Sequence, residues 1–502
     1  MAPAADLIEC LNAVAARRPK HLFLRTAGGR ELTYGALADQ VARFGAALTH
    51  LDVAPQDRVA VQVEKSVEAV LLYLACLQVG AVFVPINSAN TPTEVAYLLD
   101  DARPRLTVVD PRLRDVLEPA ARAAGVAHLE TLSEAGDGSF TDLVRRMARY
   151  ADPRVPAEGE LGAIVYTSGT TGRPKGAMLT RANLAANAHV LSQAWQFSGT
   201  DVLMHVLPLF HIHGLFVALN TLLVQGAGLL FFARYDPAVA VRHLRECSVF
   251  MGVPTHYTRL LQQPSLDADA CAGMRLFVSG SAPLLAETHR VFRQRTAHTI
   301  LERYGMTETL IITANPYAGP RRAGSVGTPL PGTALRIAVA DEQGVGGIEV
   351  QSPAVFAGYW QDEAKTRAEF TDDGWFRTGD LGVQDGEGYV SIVGRAKDLV
   401  ISGGFNVYPK EVESEIDLLA GVLESAVFGL PHPDFGEGVT AAVVARPGAA
   451  LTEALILEAI QGRLARYKIP KRVLLLEELP RNTMGKVQKN ELRRRFDALY
   501  RA

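Results

Sequence analysis

The chain has 502 residues, 48% apolar and 21% charged, with a formal net charge of −3. That length exceeds one ordinary core, so two or more domains are expected, and the near-balanced charge gives no electrostatic reason for a nucleic-acid or anionic-membrane partner. Cys10, Cys76, Cys247 and Cys271 have no CxxC or metal-ligand spacing and read as reduced thiols, which predicts a cytoplasmic protein.

Asp6 and Glu9 stand near the N-terminus without a basic stretch and apolar run, so neither a signal nor a transit peptide is expected. Arg17-Arg18, Arg145-Arg146 and Arg493–Arg495 are expected on solvated helix faces. Arg58–Glu64 predicts a strand, Val67–Gln78 a helix with apolar positions three and four apart, and Ala81–Pro85 a strand. Glu94–Asp100 then predicts a helix and Leu106–Val109 a strand. The alternation predicts parallel sheets with covering helices.

After the apolar run Leu161–Val165 comes Tyr166-Thr-Ser-Gly-Thr-Thr-Gly-Arg-Pro-Lys-Gly176. Its glycines allow close backbone approach, and its hydroxyls, amides and cations donate to phosphate oxygens. It is not a Walker A loop, since Pro174 precedes Lys175 and Gly176 stands where the Mg²⁺-binding hydroxyl would be.

A second alternating series runs through Val202–Leu207, Gly228–Phe232, the helical Pro237–Glu246, Val249–Val253, Arg275–Ser279 and the helix Leu285–Thr296. Within it His213–Ala233 lacks any acid, Lys or Arg. Asn220, Gln225, Gly226 and Gly228 break it into a buried helix, a turn and a core strand, so it needs no bilayer. From about 324 to 394 the pattern changes to short strands and Gly/Pro turns. The tail carries a helix at Pro409–Leu418, strands at Ser425–Gly429 and Val439–Val444, and a basic helical end, as a separate α+β domain would.

Downstream of the phosphate cradle stand Glu302-Arg-Tyr-Gly-Met-Thr-Glu308, Trp375-Phe-Arg-Thr-Gly-Asp380, Gly394-Arg-Ala-Lys-Asp398 and Pro480-Arg-Asn-Thr-Met-Gly-Lys486. In that order and spacing, from Leu32-Thr-Tyr34 to the C-terminal lysine, the chain resembles the adenylate-forming superfamily of acyl-CoA synthetases, adenylation domains and luciferases. Through His211-Ile-His-Gly214, Met251-Gly-Val-Pro-Thr255 on to Arg259, Ser279-Gly-Ser-Ala-Pro-Leu-Leu285 on to Arg290, Gly403-Gly-Phe-Asn-Val-Tyr-Pro-Lys410 and Arg481–Lys489 it is most similar to malonyl-CoA synthetases.

The resemblance implies an α/β fold. A large N-terminal domain (1–396) would stack sheets under covering helices, with a β-rich portion at about 324–394. A small mobile C-terminal domain (397–502) would turn on Lys397. It implies a reaction in which malonate attacks the α-phosphate of ATP, giving malonyl-AMP, and coenzyme A then displaces AMP. Methylmalonate is a possible further substrate. Both steps act on centres surrounded by negative oxygen, so catalysis rests on positioning and charge neutralisation.

The resemblance also assigns roles. Thr167, Ser168, Gly169, Thr170, Thr171, Gly172 and Lys175 hold the β- and γ-phosphates. Glu308 holds Mg²⁺ and Thr307 lies near the α-phosphate. Gly280, Ser281 and Ala282, with Glu302, Arg303, Tyr304, Gly305 and Met306, form the adenine slot and its surroundings. Asp380 accepts the ribose hydroxyls and Arg395 adds a contact. Lys486 bridges the attacking carboxylate and the α-phosphate, while Ser402, Gly403 and Gly404 face coenzyme A. His211, a catalytic candidate, and His213 either line the acyl pocket or hydrogen-bond structurally, and Ile212 and Met306 are expected to bound the space near the substrate Cα.

A dicarboxylate needs a cation for its second carboxylate, and Arg259 and Arg290 are the candidates. Breaking a buried pair costs about 3–5 kcal/mol, against about 1–3 kcal/mol for a methylene, so charge is expected to decide the substrate class. Arg290 three residues after Glu287 also fits a solvated helix face. The alternatives are an acyl-CoA synthetase for a monocarboxylate or aryl acid, an adenylation module loading a carrier protein, and an AMP-binding protein without turnover. The expected partners are small molecules, and the expected state is a monomer or weak homo-oligomer.

Overall fold

In the computed structural model, residues 4–150, 156–167, 173–482 and 485–500 are described. Ser168, Gly169, Thr170, Thr171 and Gly172 of the phosphate cradle lie outside them. The chain is mixed α/β and forms two compact units, residues 1–334 with 351–374, and residues 335–350 with 375–502.

The larger unit holds two sheets. One has seven strands, in the order Gly358–Tyr359, Lys175–Thr180, Leu161–Thr167, Val82–Pro85, Arg58–Gln62, Leu106–Val109 and His128–Thr131. The other has nine. From one edge they run Thr328–Pro329, Leu310–Ala314, Leu301–Met306, Leu276–Ser279, Val249–Gly252, Val202–His205, Gly228–Phe231, Leu22–Thr26 and Glu31–Thr33. The central strands of both sheets pair in parallel, as the alternation predicts.

The helix Val67–Val79 is apolar on every side and buried along nearly its whole length. Ser66 caps its start and left-handed Gly80 ends it. Its Tyr73 packs against Phe83 of the seven-stranded sheet and against Phe216, and exchanges hydrogen bonds with Asn220. The His213–Ala233 stretch is a π-helical turn (His213–Leu219), a short α-helix (Asn220–Gln225) and a strand. The strand expected to reach Leu207 stops at His205. The π-turn packs on the backbone that follows: a Cβ at Gly214 would sit 2.0 Å from the Pro208 carbonyl oxygen. No helix among the described residues is long and apolar enough to cross a membrane.

The smaller unit combines a four-stranded sheet with a five-stranded one. Residues alternate faces along the paired strands Val422–His432 and Gly436–Ala445. Val427, Val439, Ala441 and Val443 join one core, and Ala426, Phe428, Ala442 and Val444 the other. Leu479 and Leu492 are both buried in the second core. The segment between them is therefore anchored at its two ends.

Candidate functional site

The candidate residues form one group in the smaller unit and two in the larger. In the smaller unit Asp380 and Arg395 are cross-strand partners, and their side chains pair at 3.0 Å. Asp380 is 4% exposed, and Gly379 before it has φ +71°, so the strand turns sharply where the carboxylate is presented.

Lys486 sits beside the tip of a hairpin. Arg481 and Val487 bridge antiparallel, the Asn482 N–H donates to the Lys486 carbonyl at 3.0 Å, and the Lys486 N–H donates to Asn482 Oδ1 at 2.9 Å. Arg481 pairs with Glu424 below it. Although Lys486 is an exposed residue, its amino end lies within electrostatic reach of Arg395, Asp380, Lys397 and Asp398. Loss of solvent around that end, and then Arg395, push its pKa down to about 8. Burial and Arg395 also lower Lys397, which is exposed on the short 3₁₀ turn Ala396–Asp398.

Ser402 is buried, while Gly403 and Gly404, at φ +59° and +83°, form the exposed turn of a hairpin. Asp380, Arg395, Lys397 and Lys486 are thus brought together, with Ser402–Gly404 on a separate hairpin.

In the larger unit the first group lies at the strand ends flanking the glycine-rich segment. Thr167 and Lys175 are cross-strand partners flanking the glycine-rich segment. The Lys175 ammonium is 5.6 Å from the Tyr359 ring centroid, and the Tyr359 hydroxyl donates to Glu308 Oε1 at 3.0 Å. The backbone reinforces this placement, since the Trp360 N–H donates to the Gly176 carbonyl and the Phe356 N–H to the Glu308 carbonyl. Thr307 and Glu308 share the turn after the Leu301–Met306 strand, and Glu308 is 5% exposed. Tyr359 escapes a reading by motif because nothing local marks it; its antiparallel pairing with Ala177 and the Phe356 bond to the Glu308 backbone bring it to Glu308. A single buried carboxylate beside a lysine suits Mg²⁺, which takes one or two protein carboxylates and draws its other ligands from phosphates and water. No cluster of three or more His, Cys, Asp or Glu side chains suited to a metal occurs among the described residues.

The second group lies at the carboxyl ends of the nine-stranded sheet. His211 is half-buried, and its Nδ1 accepts from the His213 N–H. His213 is fully buried, with Nδ1 3.2 Å from Ser281 Oγ. Burial first, then Arg303, hold it far below the usual histidine range. Ser281 is left-handed at φ +69°, which costs a non-glycine residue on the order of 1–2 kcal/mol, and sets its hydroxyl against that neutral imidazole.

Arg303 is 4% exposed, lies against Gly280, where a Cβ would sit 2.4 Å from the guanidinium carbon, and is lowered by burial. Gly280 is glycine for that reason. Glu302 is buried while Tyr304, Gly305 and Met306 are half-exposed, as are Ser281 and Ala282. Ile212 is buried.

His205 and His256 complete this group. Each is pushed down to about 3, by burial first, followed by Lys65 for His205 and by Arg259 and Lys65 for His256. Arg259 is exposed on the helix Pro254–Leu261. Arg290 is exposed and makes two hydrogen bonds to Glu287, at 2.7 and 2.8 Å, on the helix Ala286–Thr296. Lys65 and His205 belong to no motif and read as ordinary polar residues beside apolar runs, while His256 lies within the stretch Met251–Arg259 with nothing local to assign it a role.

Residues 11–360 match the model for AMP-binding enzyme and residues 411–486 the model for AMP-binding enzyme C-terminal domain. A sulfoacetate–CoA ligase of Cupriavidus necator is 36% identical over 501 residues, covering 97% of each chain. A malonate–CoA ligase of Arabidopsis thaliana is 34% identical over 477 residues, 88% of this chain and 78% of that one. The crystal structure of ATP-bound MatB from Rhodopseudomonas palustris is 48% identical and superposes with a TM-score of 0.96 over 99% of this chain and 100% of that one.

Proposed function

Because the chain belongs to the AMP-binding enzymes and is an acid–thiol ligase using ATP and coenzyme A, we propose that its acid is malonate. The reaction gives malonyl-AMP and then malonyl-CoA, with methylmalonate as a further substrate. The observation that carries this reading is the chemistry of the crevice at the sheet's carboxyl edge. His205, His213, His256, Arg303 and Lys65 gather there, and among the described residues no carboxylate pairs with Arg303 or Lys65. Buried cations without a carboxylate partner suit an acid that brings a second negative charge.

In the proposed reaction Lys486 offsets the charge that grows between the attacking carboxylate and the α-phosphate, and Asp380, steadied by Arg395, accepts the ribose hydroxyls. Lys175 with Thr167 and the glycine-rich segment holds the terminal phosphates. Glu308 would hold Mg²⁺, whose charge would offset the phosphate oxygens. Lys397 serves as the hinge that withdraws Lys486 once malonyl-AMP has formed, and Ser402–Gly404 then meet coenzyme A. Four unbridged cysteines suit a reducing compartment, and we assign the reaction to the cytoplasm.

A second reading rests on the relative from Cupriavidus necator, whose named substrate, sulfoacetate, also carries a second anion. Coenzyme-A-dependent AMP release across malonate, methylmalonate, sulfoacetate, succinate, acetate, butyrate and benzoate separates the readings. The expected result is a preference for malonate. Preference for sulfoacetate moves the assignment to the sulfonate, and turnover of monocarboxylates alone overturns the dianion.

The two arginines should differ. Arg290 already has Glu287, so Arg290→Ala is expected to change the malonate-to-acetate ratio of kcat/KM by less than about twofold. Arg259 is exposed, and Arg259→Ala is expected to lower that ratio by about fivefold, the size of a solvent-screened pair. Steady-state kinetics with both acids decides the point, and an equal fall for both acids in Arg259→Ala counts against an anchoring role.

A further inference from the structure

Lys65 stands one residue before the cap of the buried Val67–Val79 helix and is itself 8% exposed. Its ammonium donates to the His205 carbonyl at 2.9 Å and lies 4.6 Å from the centroid of the Phe231 ring. An ammonium has three N–H donors, so one carbonyl and one ring face do not replace the water it has lost. No ion pair reaches it among the described residues, and burial pushes its pKa well below the usual lysine range. A buried cation in that condition is a poor choice for a purely structural tie, which an apolar side chain of similar volume would make at less cost.

Its position in the topology is as telling. The strand Val202–His205 lies between Gly228–Phe231 and Val249–Gly252. The chain leaves His205 toward Gly228–Phe231 on one side and leaves Gly252 toward Leu276–Ser279 on the other. Two adjacent parallel strands whose onward connections diverge leave a crevice beyond their carboxyl ends, the usual ligand site of an open α/β sheet. The two ends here are His205 and Gly252. Lys65 is fastened to the first, and His256, which follows the second, feels its charge. Around the same edge His205 Nδ1, His213 Nε2, Ser279 Oγ and Arg303 Nε and Nη2 are buried without a hydrogen-bond partner among the described residues.

We propose that Lys65 is a specificity-determining residue that pairs with the second anionic group of a short dianionic acid, leaving the first carboxylate for activation. This rests on the reading that the enzyme activates such an acid. The chemistry at the ammonium is the same for a carboxylate or a sulfonate. A monoanionic acid of similar size fills the crevice but leaves the buried ammonium without a counter-charge, and that difference produces the discrimination.

The test compares wild type with Lys65→Met, which keeps the length and removes the charge, and with Lys65→Gln, which also keeps a donor for the His205 carbonyl. Three quantities are read: kcat/KM for malonate and for acetate, the Tm of the ligand-free protein, and the rise in Tm caused by malonate. Both variants are expected to lower the malonate-to-acetate ratio by at least about 100-fold and to lose the malonate-induced rise. The ligand-free Tm of Lys65→Met should match or exceed that of wild type, and Lys65→Arg should recover part of the ratio.

Retention of the wild-type ratio within about threefold in a folded Lys65→Gln, with wild type preferring malonate, overturns the role of Lys65 alone. Equal losses for both acids with a lowered ligand-free Tm identify a tie between the sheets and overturn it too. Should wild type itself prefer monocarboxylates, the dianion reading falls, and the proposal with it.

Discussion

Replacing Lys486 by alanine is expected to slow acyl-AMP formation by about 10²–10³-fold while leaving thioester formation from supplied malonyl-AMP within a few-fold of wild type. The expectation follows from where the charge is held. The hairpin carrying Lys486 is closed by the Arg481–Val487 bridge and by two hydrogen bonds with Asn482, and both flanking segments are rooted in one apolar core. Loss of the side chain should therefore remove a charge without disturbing the fold. Pyrophosphate exchange reads the first half-reaction and thioester release from malonyl-AMP the second; equal losses in both would sink the assignment.

The same residue sets a pH limit. Its pKa is depressed to about 8, so the charged form that would assist the phosphate is lost as pH rises through that value. The kcat/KM for adenylation should fall above about pH 8 in wild type, and the fall should be absent from the residual activity of Lys486→Ala. A flat wild-type profile to pH 10 would show that no such proton matters.

Glu308→Gln is the second large effect expected. The amide can still accept from the Tyr359 hydroxyl and fits the same buried space, so the turn Thr307–Thr309 should persist. What it lacks is the negative charge that would hold Mg²⁺. Adenylation should fall by about 10²-fold, with more Mg²⁺ needed for half-maximal rate. Tyr359→Phe serves as the control, keeping the carboxylate and losing one hydrogen bond, worth about 1 kcal/mol or roughly fivefold. Wild-type Mg²⁺ dependence in Glu308→Gln would free Glu308 of that role.

Much of this was open to a reader of the sequence, for a physical reason. Chemistry that depends on contiguous backbone leaves contiguous marks: the glycines and hydroxyls of Tyr166–Gly176, the Gly379-Asp380 pair, and Gly485 at φ +73° before Lys486. The parallel alternation is equally local, because each strand and helix carries its own periodicity. Even the exposed pairing of Arg290 with Glu287 is legible three residues apart.

What is not legible depends on register and topology. Lys65 meets His205 across 140 positions, and Tyr359 meets Glu308 across 51. Nothing in either neighbourhood announces the meeting. The π-helical turn at His213–Leu219 is hidden for another reason. It differs from an α-helix by its hydrogen-bond span, and apolar residues line it either way.

The distribution of these groups has a bearing on how such enzymes diversify. Lys486, Asp380 and Arg395 belong to one compact unit, whereas Lys65, His205, His256 and Arg303 belong to the other, together with Lys175 and Glu308. Under the proposed roles, substitutions around Lys65 and Arg303 would change which acid is accepted while the unit that carries Lys486 keeps its own core and contacts.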